Sequence, residues 1–254
     1  PSAVHWRNII FHSQNNHKRF AVKTTLLFLH GALGSTEQMS FLGKEFSQFN
    51  TLFFEFSGHG KTPDVDRNWS IQEFSEQLLS FCKKHNTPLL VFGYSMGGYI
   101  ALHLALRHPE QFKGIITFGT KLDWSPEVAS KEILKLDPEK ILLKIPQFAE
   151  ELKARHGENR WKDVLRKTSE LMISLGDHPV LFPGEMKSMT VPVLYGLGEK
   201  DTLVSLEETK LFQNATPGSE LKYFTDTPHP IEQVNPGMFL METMRFIESI
   251  ERNS

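Results

Sequence analysis

Residues 88–108 read PLLVFGYSMGGYIALHLALRH, and the fold is decided here. The run PLLVF (88–92) is short and continuously apolar, which predicts a buried strand. From Gly97 to His108 the apolar residues return at helical spacing. Gly93-Tyr94-Ser95-Met96-Gly97 lies between the two. A chain that passes from strand to helix in so few residues bends sharply, and the positions beside the bend must be small. Glycines stand two residues to either side of Ser95. Such a turn pushes the serine out of the sheet with its hydroxyl exposed, the posture of a nucleophile.

The rest of the chain bounds what that serine can belong to. The 254 residues suit one large α/β domain or two small ones. A hydrophobic content of 39% with 23% charged residues is ordinary for a globular protein. The formal net charge of −2 provides no long-range attraction to nucleic acid or to an anionic membrane. Cys82 is the single cysteine, so no disulfide can form within the chain, and a reducing compartment fits. It sits in the apolar stretch LLSFC, the setting of a buried structural thiol. No apolar run reaches the roughly 18 residues of a membrane span. The opening PSAVHWRNIIFHSQNNHKRF lacks the apolar core of a signal peptide. The expectation is a soluble cytoplasmic protein with a small-molecule substrate, no nucleic-acid or membrane partner, and an undetermined oligomeric state.

On both sides of Ser95, short apolar runs alternate with helix-like runs. The candidate strands are 24–30, 50–56, 88–94, 114–119, 191–197 and 221–226. Several are apolar throughout, as strands covered on both faces are. The intervening stretches 36–49, 70–85, 96–108, 205–214 and 235–251 read as helices. Alternation of this kind predicts a mainly parallel sheet of about eight strands with helices on both faces. The first segment, VHWRNIIFHS and HKRFAVK, would supply one or two antiparallel edge strands.

The alternation stops from 121 to 190. Prolines 126, 138 and 146 sit where helices start, and NRWKDVLRKTSELMISLG places Trp161, Val164, Leu165, Thr168, Met172 and Leu175 on one face. Gly176 reads as the cap ending that helix. The predicted division is a core of 1–120 and 191–254 with a helical cap at 121–190. Active sites in such sheets lie at the C-terminal ends of the strands, so the cap would form a lid.

A serine hydroxyl needs a base, an acid to orient that base, and donors for the oxyanion that forms. His229, one of 11 histidines, follows the last strand on a proline-braced loop and is the candidate base. His103 and His108 read as packing or surface residues. Asp201, in GEKDTLVS after the strand VPVLYGL, is the candidate acid; Glu199 and Asp123 compete with it. Met96, next to the nucleophile, supplies one candidate oxyanion N–H, and Ala32 in HGALGS (30–35) the other, with Gly31 allowing a tight bend.

Together HGALGS, FEFSGHGKTP, GYSMGGYIALHLALRHPE, GLGEKDTLV and TPHPIEQ resemble the α/β-hydrolase fold superfamily, over nearly the whole chain and in the order Ser…Asp…His. The resemblance implies Ser95 as nucleophile, Asp201 as acid, His229 as base, and Ala32 and Met96 as oxyanion donors. It also implies a helical cap inserted after the sixth strand. One departure lies at 55–60, EFSGHG, where relatives often carry Asp and Pro; His59 there reads as structural.

The resulting expectation is a serine hydrolase of a small or medium ester, thioester or lactone. The alternatives are a lyase or carbon–carbon bond hydrolase of the branch holding the menaquinone-pathway synthase, which eliminates pyruvate with a Ser-His-Asp set, and a slow ligand receptor. A substrate with several carboxylates calls for arginines. The stretch 121–190 carries equal numbers of basic and acidic residues and only Arg155, Arg160 and Arg166, which ranks the synthase reading lower. Leu33, Met39, Tyr94, Leu122, Trp124, Trp161, Met172 and Leu175 are candidates for the substrate pocket, beside Met96. No HExxH motif, Cys/His cluster, GxGxxG or Walker signature is present, so neither metal nor cofactor is expected. His12 and His17 read as solvated.

Overall fold

In the computed structural model, which describes residues 24–64 and 68–252, six strands form one wholly parallel sheet. The strands are β1 (Thr25–Leu29), β2 (Asn50–Phe54), β3 (Leu89–Tyr94), β4 (Phe112–Phe118), β5 (Val193–Gly198) and β6 (Glu220–Phe224), in the order β2-β1-β3-β4-β5-β6. Each matches a run expected from sequence. The edge strands expected from the first segment lie outside the described residues, as do His12 and His17, so the described sheet has six strands rather than eight.

The continuous apolar runs follow from two covered faces. Leu27 and Leu29 of β1 enter one core cluster, while Leu26 and Phe28 enter another. The first face is packed by α2 (Ile71–Cys82) and α3 (Met96–Ala105), the second by α1 (Thr36–Glu45) and α10 (Pro236–Arg252). The second core is largely aromatic: Phe28 stacks on Phe53 across the β1–β2 pair, and Phe224 stacks on Phe239 of α10 at 4.4 Å. Cys82 is buried, and its burial pushes the thiol up to about 12, as a structural cysteine requires.

Between β4 and β5 the chain is helical: α4 (Pro126–Ile133), α5 (Pro138–Lys144), α6 (Pro146–His156), α7 (Trp161–Asp177) and α8 (Pro183–Met186). Each of Pro126, Pro138 and Pro146 opens its helix as expected. Gly176 departs from expectation, since α7 continues through Asp177 and is capped at His178. A Cβ on Gly176 would stand 2.6 Å from that of Ala129 and 2.9 Å from the Ser125 carbonyl. The glycine therefore lets α4 approach α7, and helix termination is not its role. The remaining helix of the sheet layers, α9 (Leu206–Ala215), starts at a reciprocal Ser205–Glu208 cap.

Strand order reverses at β1, which lies between β2 and β3. The crevice of such a sheet opens where neighbouring connections leave in opposite directions, at the C-terminal strand ends. The loops after β1 and β3, which carry Ala32 and Ser95, both start there.

Candidate active site

Ser95 occupies the bend between β3 and α3 with φ 51° and ψ −116°, a region side chains rarely adopt. The surroundings over-determine it. Its N–H donates to the Phe118 carbonyl at 2.9 Å, and its own carbonyl accepts from Thr120 Oγ1 at 3.1 Å. The neighbouring glycines are needed for close approach. A Cβ on Gly93 would lie 2.5 Å from Gly98 Cα, and one on Gly97 would lie 2.6 Å from the Leu29 carbonyl. Met96 is the first residue of α3, so its N–H belongs to the electropositive helix end.

His229 and Asp201 arrive from the loops after β6 and β5. Their Nδ1 and Oδ2 are 2.7 Å apart, and the Asp201 side chain is completely buried. Asp201 Oδ1 accepts from the N–H groups of Leu203 (2.8 Å) and Val204 (2.9 Å), which fixes the carboxylate plane. The competitors are elsewhere: Asp123 is exposed, and Glu199 is exposed with Oε2 accepting from the Asp226 N–H. Gly119, at φ 58°, closes the back of the pair. A Cβ there would stand 3.1 Å from His229 Nδ1 and 3.2 Å from Asp201 Oδ2. No hydrogen bond joins Ser95 Oγ to His229 among the described residues, although both line the same two chambers.

Two chambers meet beside Ser95. An inner one of about 80 Å³ is mainly apolar, with Met96, Trp124, Leu171, Met172 and Leu175 in its wall. An outer one of about 660 Å³ is more polar and includes Leu33, Tyr94, Glu151, Arg155 and Glu232. Ala32, Ser95 and His229 line both. Lys121 and Glu132 bring charge to the inner wall, where the Lys121 amine donates to the Leu203 carbonyl at 2.9 Å. Gly31 packs closely beside Ser95: a Cβ there would lie 3.1 Å from that of Ser95, a tight contact. The left-handed residue of this loop is Leu33, at φ 58°.

Of the expected pocket residues, Leu33, Tyr94, Trp124, Met172 and Leu175 line a chamber, and three do not. Met39 faces the sheet from α1 among the second core residues. Leu122 turns down into the first core. Trp161 packs with Ile141, Ala149, Leu152 and Leu165 in a core internal to the helical stretch. All three are apolar positions whose packing partner spacing alone did not reveal. His103 is buried with Nδ1 2.8 Å from Ser75 Oγ, His108 is half-buried beside Glu110, and His59 stacks on Trp69 at 4.4 Å. Gly119 and His156 had no sequence signal. Burial pushes His30 and His156 down to about 4, so both are neutral near pH 7. Among the described residues no His, Cys, Asp and Glu cluster is arranged to hold a metal ion, and no helix is long and apolar enough to cross a membrane.

The model of a family described as alpha/beta hydrolase fold matches residues 24–167. The putative 2-succinyl-6-hydroxy-2,4-cyclohexadiene-1-carboxylate synthase of Haemophilus influenzae is 25% identical over 201 residues, 69% of this chain and 80% of that protein. The match to the synthase of that name from Escherichia coli O1:K1 is 27% identical and spans 44% of either protein, so the chain covers under half of that relative. Among solved structures, NosK from Streptomyces actuosus superposes with a TM-score of 0.76 at 19% identity, covering 90% of this chain and 99% of that one. The enol-lactonase from Burkholderia xenovorans LB400 gives 0.71 at 16% identity, covering 89% and 92%. At these identities the structural likenesses establish a shared fold.

Proposed function

The chain belongs to the α/β-hydrolase fold family, and from that premise we propose that it is a serine hydrolase of a small or medium ester, thioester or lactone. The observation that carries the reading is the buried Asp201 carboxylate 2.7 Å from His229 Nδ1, with His229 and a strained Ser95 on one cavity. Asp201 holds the Nδ1–H tautomer, which leaves Nε2 free to take a proton. Ser95 Oγ attacks the substrate carbonyl as its proton passes to His229 Nε2. The carbonyl oxygen becomes an oxyanion that accepts from the Ala32 and Met96 N–H groups, each such donor typically contributing about 3 kcal/mol. Collapse of this intermediate breaks the bond to the leaving alcohol or thiol, which takes the proton from His229. Water then gives a proton to His229 and attacks the acyl-enzyme, and Ser95 recovers its proton as the acid departs.

The two chambers support a division of the substrate. A short apolar acyl group suits the inner chamber, and a larger, more polar leaving group suits the outer one. The test is turnover of p-nitrophenyl acetate and butyrate by wild type and Ser95→Ala, with mass spectrometry for an acyl adduct. Turnover lost in Ser95→Ala and an adduct on Ser95 are expected; equal activity in both proteins would sink the reading. A wild type that binds esters without turning them over would favour a ligand receptor.

The likeness to the Haemophilus synthase keeps a lyase reading in view. The arginines of the helical stretch weigh against it. Arg155 donates to the Leu33 carbonyl, Arg160 to the His156, Thr62 and Gly60 carbonyls, and Arg166 pairs with Asp163 and Glu170 on the surface. Of the three, only Arg155 lines a chamber. A polycarboxylate substrate calls for arginines without such commitments. Release of pyruvate from the synthase substrate, absent in Ser95→Ala, would reverse the ranking.

A further inference from the structure

The loop after β1 is held from outside the sheet. Leu33 keeps a left-handed backbone at φ 58°, a conformation that costs a non-glycine residue free energy and persists only where neighbours impose it. Two donors from the last turn of α6 converge on its carbonyl: Arg155 Nη1 at 2.8 Å and His156 Nε2 at 2.9 Å. His156 is fixed as the Nε2–H tautomer, because its Nδ1 accepts from the Gly60 N–H at 3.0 Å. Arg155 also reaches Glu232, three residues past His229, at 3.3 Å. The other end of the turn is tied as well. His30 Nδ1 lies 2.8 Å from the Gly31 carbonyl and its Nε2 accepts from the Phe56 N–H, while the Gly34 N–H closes on Gly31 at 3.1 Å. Ala32 lies between these two anchors.

We propose that Arg155 and His156 are positioning residues for the oxyanion donor: by clamping the Leu33 carbonyl, α6 sets the backbone that aims the Ala32 N–H. The inference rests on the hydrolase reading above. Its consequence is that the helical stretch is part of the catalytic apparatus as well as a wall of the pocket. Movement of α6 away from the sheet releases Leu33 and switches the oxyanion site off. A displacement of this kind acts on the transition state, where the oxyanion exists, and not on the neutral substrate.

His156 lines neither chamber, so its replacement does not touch substrate. His156→Leu removes both of its hydrogen bonds at similar volume, whereas His156→Gln can still donate to Leu33. For His156→Leu we expect kcat to fall by about 10²-fold, the cost of a small misplacement at the reacting centre, with KM unchanged. Affinity for a trifluoromethyl ketone, which forms the oxyanion, should fall in parallel, and His156→Gln should restore most of both. Should His156→Leu fail to fold, Arg155→Met serves as a second variant judged on kcat and amide exchange alone, because Arg155 also lines the outer chamber. Amide hydrogen exchange over residues 31–35 supplies a readout independent of turnover, and faster exchange there, with sheet amides unchanged, is expected. Wild-type kcat and unchanged exchange in the folded variants would overturn the inference, as would a KM rise with kcat intact. An inactive wild type whose Ser95 escapes fluorophosphonate labelling would instead sink the hydrolase reading, and the exchange data would still decide the clamp.

Discussion

Under the proposed mechanism, Asp201→Asn separates the orienting role of this carboxylate from its structural one. Oδ1 accepts from two backbone N–H groups, at 2.8 and 2.9 Å, and Oδ2 faces His229 Nδ1 at 2.7 Å. In the variant the amide oxygen must stay on the two backbone donors, because reversing it would set an NH2 against two N–H groups in a buried site. The NH2 is thereby directed at His229 Nδ1, which has to become an acceptor. The proton moves to Nε2, and the imidazole can no longer take one from Ser95. The wrong tautomer is expected to lower kcat by about 10⁴-fold, and four decades at 1.36 kcal/mol each amount to about 5.4 kcal/mol of lost transition-state stabilisation. Stability should change little, since shape and both turn hydrogen bonds are kept. The assay is p-nitrophenyl butyrate hydrolysis, with urea unfolding on the same samples. A folded variant within tenfold of wild type would refute the tautomer argument.

Ser95→Gly should abolish turnover yet raise unfolding free energy by about 1 kcal/mol in urea titrations, because glycine adopts φ 51° without strain. Gly119→Ala places a methyl 3.1 Å from His229 Nδ1 at a positive φ; a destabilisation of about 1–3 kcal/mol and a lower kcat are expected from paired unfolding and kinetic measurements. His30 and His156 are held down at about 4 in the fold against 6.5 outside it, so the unfolded chain binds more protons between these values. Their stabilisation is complete above pH 6.5 and is lost as pH falls toward 4, each at up to about 1.4 kcal/mol per pH unit; a urea midpoint unchanged between pH 7.5 and 5 would contradict neutral burial. Leu175→Phe narrows the inner chamber and should cut kcat/KM for butyrate relative to acetate by roughly tenfold, read from the ratio of the two rates.

The elbow at Ser95 was legible because its causes are local. An apolar run, flanking glycines and helical periodicity all lie within 88–108, and backbone sterics translate them directly into strand, turn and helix. The six strands and the proline-led helix starts were legible for the same reason. Asp201 was only partly so, since Asp123 and Glu199 also follow strands. Choosing among them required knowing which loop meets His229 across the sheet edge, a matter of strand order. Met39, Leu122 and Trp161 were misplaced because periodicity identifies a buried face without naming what it is buried against. Gly176 was misread because glycine at a helix end and glycine at a helix crossing look alike in sequence.

The clamp on Leu33 lay beyond any sequence signal. Arg155 and His156 stand 122 and 123 residues from the carbonyl they hold, and only the docking of α6 brings them there. Sequence by itself determined the tight turn at Ser95, the sheet that carries it and the loop that holds His229, all set by interactions among near neighbours. Tertiary structure decided which carboxylate meets His229, which side chains wall the two chambers and what holds the loop at Leu33, because those depend on the packing of segments far apart in the chain.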